Sequence, residues 1–410
     1  MLVTGGTTAT LLADEFDPAA SAGAGGFSPS ANGMAVARLN HVGVLLPSGK
    51  VLVLGGYNPA AALPRQLTSA ERYDPASHSF TPSADHMATP RQQFTATLLT
   101  TGKVLIVGGY HDTGVTLGSA ELYDPVTDTF QPSAGTLGYP RWGHFASLLP
   151  SGKVLIAGGN GGSNAVGAEL YDPQLDSFVP TGSSNLAQNW ETLTRMADGR
   201  VLCALNSGGS ANGSLIYDPA TGLATASTGM PDPTRVQAPT ATLLGDGRVL
   251  LAGNLGNPGF DLAGDAEIFS PATGTYAYTA DPGDRWQQAA TLLPDGRVLL
   301  VGGYASGLHT FLNTATLFSA GPAMAAPAPP ATITLPASAA AGTVGLVASV
   351  PGSAGAAYHW TVSNGSVTGG LGTQAITFTT GAAGTIDINC LVVSAYGIPS
   401  QGSASLTVTP

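Results

Sequence analysis

The sequence predicts an all-β protein: a seven-bladed β-propeller with incomplete first and last blades, followed by an immunoglobulin-like β-sandwich. A six-residue phrase such as VLIVGG, which starts at Val104, recurs at intervals of about 50 residues. A period near 50 with several short apolar runs per unit is typical of four-stranded propeller blades. Beyond the last copy, residues 331–410 contain short alternating runs of the kind found in sandwiches. The copies begin at Met1, Val51, Val104, Val154, Val201, Val249 and Val298.

Each repeat predicts four strands. In one copy the first strand covers 145–149, and the turn at 150–153 places Gly152 where a tight hairpin needs a positive φ. The second strand ends in two glycines, which indicates positive φ, a backbone with no room for a Cβ, or both. The third strand stops at Tyr-Asp-Pro, because proline cannot continue a ladder, and a fourth strand follows around Phe178.

The strand inventory is uneven at the two ends. The first blade lacks a first strand, and no clear fourth strand follows Phe318. One upstream segment of roughly 25 residues, judged from ordinary strand lengths, would supply both. We therefore expect a truncated chain that has lost its closing segment and any signal peptide, with a native open ring as the alternative.

We divide the chain into a propeller at 1–321, a Pro/Ala-rich linker at 322–330 and a sandwich at 331–410. Trp360 resembles the core tryptophan of the third strand of immunoglobulin-like domains. The two cysteines, Cys203 and Cys390, lie in different predicted domains, so a disulfide between them is not expected, and no metal-type cysteine spacing occurs.

The charge balance limits the partners. The net charge is −11 with 14 Lys and Arg, and all but Arg65, Arg72 and Arg195 occupy repeat positions. No basic patch can be built from three residues, so nucleic acid and anionic membranes are poor partners. No apolar run approaches the roughly 20 residues of a membrane helix.

Three phrases carry a family resemblance. The second strands that end in Gly-Gly, the Glu-x-Tyr-Asp-Pro third strands and the Arg-x-x-His entries resemble bacterial kelch-type repeats, in the variant of the central domain of galactose-oxidase-like proteins. The resemblance covers residues 1 to about 320, while 331–410 resemble bacterial immunoglobulin-like or PKD-like modules. It implies the fold and leaves the function open.

The resemblance also allows a test for copper. In galactose-oxidase-like enzymes a Tyr-His pair opens one first strand, and the C-terminal domain donates another histidine. Here Asn40 precedes His41 and Gly143 precedes His144. We expect His359, adjacent to the core Trp360, to point to the other face of the sandwich rather than reach the propeller channel. The sequence therefore predicts no catalytic residue, no metal site and no cofactor.

The long, varied connections gather at one face of a propeller, around the channel. Aromatic rings there can pack on the C–H faces of sugars while polar groups bind hydroxyls. The alternative is that the same rings cap the packing between blades. The predicted ligand-binding residues are Tyr57, Tyr110, His111, Asp112, Trp142, Trp190, Trp286, Tyr304 and His309.

Recurring charges favour a structural role. The pattern assigns one repeat position to Glu15, Glu71, Glu121, Glu169 and Glu267, and an arginine precedes most first strands. We expect the arginines to contact carboxylates or carbonyls between neighbouring blades. His41 and His144, which also sit at a repeat position, are expected to be structural.

Three functions follow from these observations. The first is an extracellular or cell-surface binding or adhesion protein whose loop-rich face takes a glycan or protein ligand. The second is a secreted carbohydrate-active enzyme, such as an oxidase, lyase or epimerase. The third is a structural segment of a surface protein.

Overall fold

The structure is a computed structural model, and it describes most of the chain. The described residues are 1–4, 11–61, 65–111, 113–161, 167–182, 186, 190–206, 214–227, 240–253, 266–279, 285, 287–305, 310–319, 330–395 and 397–410. Apart from short 3₁₀ turns, such as the one at Ser21–Gly23, the regular elements in these ranges are β-strands. The all-β prediction is confirmed.

The propeller part is built from sheets whose strands follow one another along the chain. The first sheet contains β1 (Leu2–Thr4), β2 (Ala13–Asp17) and β3 (Gly26–Pro29). The second contains β4 (Val42–Leu45), β5 (Val51–Leu54), β6 (Ala70–Asp74) and β7 (Ser79–Pro82). The third contains β8 (Thr95–Leu98), β9 (Val104–Val107), β12 (Ala120–Asp124) and β13 (Thr129–Pro132), with a small hairpin of β10 (Tyr110–His111) and β11 (Val115–Thr116) between β9 and β12.

The remaining sheets repeat this order. The fourth contains β14 (Phe145–Leu148), β15 (Val154–Ala157), β16 (Glu169–Asp172) and β17 (Ser177–Pro180). The fifth contains β18 (Trp190–Arg195), β19 (Val201–Asn206), β20 (Leu215–Asp218) and β21 (Leu223–Ala226). The sixth contains β22 (Thr240–Leu243), β23 (Val249–Ala252), β24 (Ala266–Ser270) and β25 (Thr275–Thr279). The seventh contains β26 (Ala289–Leu292), β27 (Val298–Val301) and β30 (Ala315–Phe318), with the hairpin β28 (Tyr304–Ala305) and β29 (Thr310–Phe311).

The sheets pack side by side around a common centre. First strands of successive sheets contact one another from β4 to β26. The first sheet closes the arrangement, because Phe16 packs with Leu293 and Leu299 of the seventh sheet. Second strands such as β9 and β15 are buried on both faces, which explains their continuous apolar sequence.

The outer strands pair through aromatic rings. The third-strand Tyr123 packs on the fourth-strand Phe130 with ring centroids 4.7 Å apart, and Tyr171 packs on Phe178 in the same way at 4.9 Å. Tilted ring pairs at this distance stabilise beyond the area that they bury. Phenylalanine or tyrosine in the fourth strand therefore fills the place where kelch repeats commonly have tryptophan.

The C-terminal part forms a sandwich with its own apolar core, in which Trp360 is buried. The indole nitrogen of Trp360 donates to the carbonyl oxygen of Thr373 at 2.8 Å, and Cys390 lies opposite Trp360 as a free thiol. One sheet contains β31 (Ser338–Ala340), β37 (Pro399–Thr409), β36 (Gly384–Val393) and β33 (Ala357–Val362). The other contains β32 (Leu346–Ser349), β35 (Ala375–Thr380) and β34 (Gly365–Gly369).

This sandwich is docked on the short turns that join first to second strands. The Nδ1 atom of His359 lies 2.8 Å from the carbonyl oxygen of Leu99. A Cβ on Gly102, whose φ is +79°, would lie 2.5 Å from the carbonyl oxygen of Trp360, so the tight turn also lets the sandwich approach. His359 does point away from the sandwich core, but the face it points to is the one that covers the propeller channel. The expectation that it does not reach the channel was therefore wrong.

Among the described residues, no helix is long and apolar enough to cross a bilayer.

Candidate functional site

The face opposite the docked sandwich carries the segments that lead into the first strands. We call these segments, at 38–41, 91–94, 141–144 and 285–288, together with the residues that pair with them after the second strands, the entry rim. Trp286 lies outside the described residues. Each segment has four consecutive positions, and the residue at each position makes a different kind of contact.

The first residue is a buried arginine that clamps the segment. Arg91 donates to the carbonyl oxygen of Gly108 at 2.8 Å and to the carboxylate of Glu121 at 2.8 Å, and Glu121 also accepts the backbone N–H of Ala88 at 2.7 Å. Such a charge is tolerated inside a protein only when it is paired and hydrogen-bonded. The same arrangement joins Arg38 to Glu71 and Arg141 to Glu169.

Two expectations about these charges need correction. Arg91 and Glu121 belong to the same sheet and its entry segment, so the contact does not run between neighbouring sheets as expected. Glu15 does not share the position of Glu121, because Leu2 pairs with Glu15 where the third sheet pairs Leu105 with Leu122. A shift of one residue turns a side chain to the other face of a strand, and Glu15 instead contacts Tyr73 and His78.

The second residue forms an isolated two-bond bridge to the residue that follows the double glycine. Trp142 and Asn160 exchange two backbone hydrogen bonds of 2.8 Å, and Gln92 pairs likewise with Tyr110. The double glycine itself has both properties expected of it: Gly108 and Gly109 have φ of 63° and 102°, and a Cβ on Gly108 would lie 2.6 Å from the carbonyl oxygen of Arg141.

The third residue is exposed and left-handed. Asn40, Gln93 and Gln287 have φ between 51° and 56°, and Gly143 has the corresponding place with φ 62°. Asparagine and glycine adopt this conformation at low cost, whereas glutamine does so less readily. The amide side chains of Asn40 and Gln93 are thereby held exposed at the rim, and the Asn40 amide donates to the Gln92 side-chain oxygen at 3.3 Å.

The fourth residue joins neighbouring sheets. The Nε2 atom of His144 lies 2.9 Å from the hydroxyl of Thr95 in the preceding sheet, and Gln288 donates to Thr240 and to the carbonyl oxygen of Ala252. In the third sheet this position is Phe94, which packs in one apolar cluster with Val42 of the second sheet. Side chains at this position therefore match their neighbours in polarity, which supports the structural role expected for His144.

The two histidines of this position are neutral at ordinary pH. Burial, together with the nearby Arg141 guanidinium, lowers the pKa of His144 to about 3. Burial and Arg38 lower the pKa of His41 to about 4, and its Nε2 atom lies 2.7 Å from the hydroxyl of Thr4.

The structure brings some of the predicted ligand-binding residues together. The rings of Tyr110 and Trp142 come from neighbouring sheets and meet edge to face with centroids 6.0 Å apart, and both are half-buried. His111 follows Tyr110 in the β10 strand, and its Nδ1 atom lies 3.0 Å from the hydroxyl of Thr113. The exposed Asn160 is bridged to Trp142.

Other predicted residues lie apart from this pair or outside the described residues. Tyr57 receives a hydrogen bond from Arg65 at 3.1 Å, and Tyr304 packs edge to face on Phe311 with centroids 4.9 Å apart. The backbone of Trp190 belongs to β18, but its side chain is outside the described part. Asp112, Trp286 and His309 lie wholly outside it.

The sequence reasoning overlooked the rim amides. Asn40, Gln92 and Gln93 were not among the predicted ligand-binding residues, although they directly follow the recurring arginine. Their signal was available: the residues between that arginine and the first strand differ from repeat to repeat, whereas the flanking positions recur.

Residues of the metal-binding types do not converge. Among the described residues, no three of His, Cys, Asp and Glu lie close enough to hold a metal ion. His41 and His144 are bonded to threonines, and the Tyr358 hydroxyl accepts from the backbone of Ser353. The side chains of the described residues do not fit the donor set of a copper centre, so we derive no step through one.

Comparisons with known proteins agree with this architecture. Residues 38–87 and 95–135 match the model of the kelch motif, and residues 326–408 match that of the PKD-like domain. The chain carries kelch motifs followed by a PKD-like domain. No curated protein matches the chain.

A solved structure resembles the whole chain in fold. It is a fungal alcohol oxidase of the AA5 family in complex with copper, with a TM-score of 0.60 and 16% sequence identity. The match covers 100% of this chain and 94% of the oxidase. The likeness shows a shared fold for the kelch propeller and the PKD-like domain that follows it.

Proposed function

We propose that this chain is an extracellular or cell-surface binding protein, and that its entry rim holds a glycan. A protein segment is the alternative ligand. The observation that carries the proposal is the pair Tyr110 and Trp142, set edge to face between two sheets and flanked by exposed amides at Gln93 and Asn160.

The chemistry of this rim suits a sugar. An aromatic ring packs well against the apolar C–H face of a pyranose, while amide groups both donate to and accept from hydroxyls. The backbone that carries the Gln93 amide is fixed, because Gly143 donates to the carbonyl oxygen of Gln93 at 2.8 Å across the sheet boundary. A rim held in this way loses little conformational freedom on binding.

The charges support a neutral ligand. The clamp arginines Arg38, Arg91 and Arg141 are buried and paired with glutamates, so they are not available to phosphates or sulfates. The net charge of −11 further opposes polyanions. Nucleic acid is therefore not proposed as a partner.

A glycan array probed with the wild-type chain and with Trp142→Ala tests the proposal. We expect selective glycan binding that falls by about tenfold or more in the variant, because one stacking face is lost. Tyr278→Ala is the matched control, since Tyr278 is an exposed aromatic on the outer strand β25. Unchanged binding in Trp142→Ala would contradict the proposal. Loss of thermal stability without any glycan binding would favour the purely structural segment.

The fold of the copper-containing oxidase keeps a second candidate, a carbohydrate-active enzyme, in view. Against this candidate, the metal-binding types of side chain do not converge within the part of the chain that the structure describes. Release of peroxide from sugars by the full-length, copper-treated chain would overturn the binding proposal in favour of this candidate.

A further inference from the structure

A cavity of about 480 Å³ lies at the base of the propeller channel, where the PKD-like domain covers it. This volume falls within the range of small-molecule sites. The propeller contributes residues of its first strands, among them Ala96, Ala146 and Leu148, and the PKD-like domain contributes His359, Leu391 and Val393. The cavity is on the opposite side of the propeller from the entry rim, so it does not depend on the proposed function.

One residue breaks the repeat inside this cavity. The last position of the first strand is Leu45, Leu98, Leu148 and Leu243 in the second, third, fourth and sixth sheets, and all four side chains line the cavity. In the fifth sheet the same position is Arg195, which also lines it. The next residue fixes this alignment, because its backbone N–H closes the following turn. Met196 donates to the carbonyl oxygen of Arg200, and Leu149 donates to that of Lys153, both at 2.8 Å.

Arg195 has no acidic partner among the described residues. Several other arginines there do form ion pairs, for example Arg38 with Glu71 and Arg200 with Asp198. Its guanidinium makes one long hydrogen bond of 3.4 Å to the carbonyl oxygen of Gly355. Asp198, three residues further along, instead binds Arg200 at 2.7 Å. By contrast Arg72, another arginine outside the repeat pattern, is neutralised by Asp128 at 3.0 Å.

The other polar groups of the cavity are uncharged. The Nδ1 atom of His359 must carry the proton, since it donates to the carbonyl oxygen of Leu99, and burial lowers the pKa of this histidine to about 4. Ser147 and Ser394 supply hydroxyl groups. Burial also lowers the pKa of Arg195, but a guanidinium remains protonated in proteins. Among the described residues that line the cavity, Arg195 therefore supplies the one positive charge, in largely apolar walls.

We propose that this cavity binds a small organic anion, a carboxylate with an apolar chain, whose carboxylate pairs with Arg195. A partly buried guanidinium without a counterion is costly, and a carboxylate can satisfy it through two parallel hydrogen bonds. The leucine side chains around the cavity and the alanines would contact the apolar chain of the ligand. The arginine in place of leucine thus gives a specific polar anchor in an apolar site.

Calorimetric titration of the full chain with sodium octanoate, 1-octanol and octylamine tests this. We expect octanoate to bind with a 1:1 stoichiometry and to raise the melting temperature, 1-octanol to bind at least about tenfold more weakly, and protonated octylamine not to bind. Failure of octanoate to bind the wild-type chain would overturn the proposal.

Two variants separate a ligand site from a contact between domains. Arg195→Leu restores the residue found in the other sheets, and we expect it to fold and to lose about tenfold or more in octanoate affinity while 1-octanol is unaffected. Arg248→Leu, the same change on the turn of the sixth sheet and outside the cavity lining, should bind octanoate like the wild type. Ala146→Trp fills the cavity and should abolish binding of both. Equal octanoate affinity in Arg195→Leu and wild type would show that Arg195 serves only its bond to Gly355.

Discussion

The second to fourth sheets and the fifth to seventh sheets share one strand order but use their charges differently. In the second to fourth sheets, the turn lysine reaches across to the aspartate that ends the third strand, as Lys153 does to Asp172 at 3.0 Å. In the fifth to seventh, the turn arginine binds the aspartate of its own turn, as Arg248 does to Asp246. The first group ties separate strands together. The second closes each turn on itself, and in the seventh sheet Arg297 also donates to the carbonyl oxygens of Pro18 and Gly23 in the first sheet.

The two groups of sheets also differ in the arginine of the entry segment and in the turn between the third and fourth strands. Arg91 meets a glutamate in the third sheet, whereas Arg285 in the seventh meets the hydroxyl of Thr316 at 2.8 Å. At the outer turn, Asp128 binds the preceding sheet through the N–H of Ala84 at 2.9 Å, whereas Gly274 has the equivalent place in the sixth. The same fold is therefore held by paired charges in one part of the ring and by neutral or local contacts in another.

The largest expected effect comes from removing the clamp carboxylate. Glu121→Gln leaves Arg91 buried without a counterion, and breaking a buried pair in this way costs about 3–5 kcal/mol. The matched change in the seventh sheet, Thr316→Ala, removes one hydrogen bond to Arg285 and should cost about 1–3 kcal/mol. Urea unfolding of both variants checks the difference. Equal losses would show that the glutamate clamp adds nothing over the threonine contact.

An intermediate effect is expected at the outer edge. Burial alone would raise the pKa of Asp128, but hydrogen bonds from Ala84, Ser83 and Tyr123 and the Arg72 guanidinium together hold it below its usual value. The stability that it contributes is therefore present above the unfolded pKa near 3.8 and is lost as the pH falls through the lower folded pKa. Asp128→Asn should cost about 1.5–3 kcal/mol at pH 7.

The pH dependence gives the second half of this test. The difference in free energy of unfolding between Asp128→Asn and wild type should shrink as the pH falls below 3.8, and the two should converge once the pH is below the lower folded pKa, where both lack the charge at this position. Asp176, which holds the same place in the fourth sheet and binds Ala134 at 2.7 Å, is the internal comparison. If the difference in free energy of unfolding between Asp128→Asn and wild type persists unchanged at pH 2, the charge of Asp128 is not what stabilises this turn.

Much of this architecture could be predicted from the sequence because its causes are local. Positive φ at Gly152 and the end of the third strand before Pro173 follow from single-residue properties. The repeat then places these local features in equivalent sheets. Glu15 shows the weak point, since a shift of one residue in a short motif escapes pattern matching yet reverses the face.

The docking of the second domain could not be predicted in the same way. Contact of His359 with Leu99 joins residues 260 positions apart and depends on the shapes of two separately folded surfaces. The entry rim lies between these cases. Its aromatic residues were predicted, but the meeting of Tyr110 with Trp142 depends on the packing of neighbouring sheets. Arg195 stood out as an arginine outside the repeat, and only the strand register gave it a place in the channel.

The smallest expected effect concerns the pairs that cross from turn to strand. The hydrogen bond from Lys153 lowers the pKa of Asp172 below its usual value. Burial acts in the opposite direction but has the smaller effect. Lys153→Gln should raise that pKa toward 3.8 and cost at most about 1 kcal/mol, because exposed pairs contribute little. The loss should vanish in 1 M salt, where the Debye length is about 3 Å. NMR titration of the Asp172 carboxyl, with Arg248→Gln as the control in a self-closed turn, measures the shift. A loss much above this size would mean that Lys153 holds the strands together, and the contrast between the two groups of sheets would then be energetic as well as geometric.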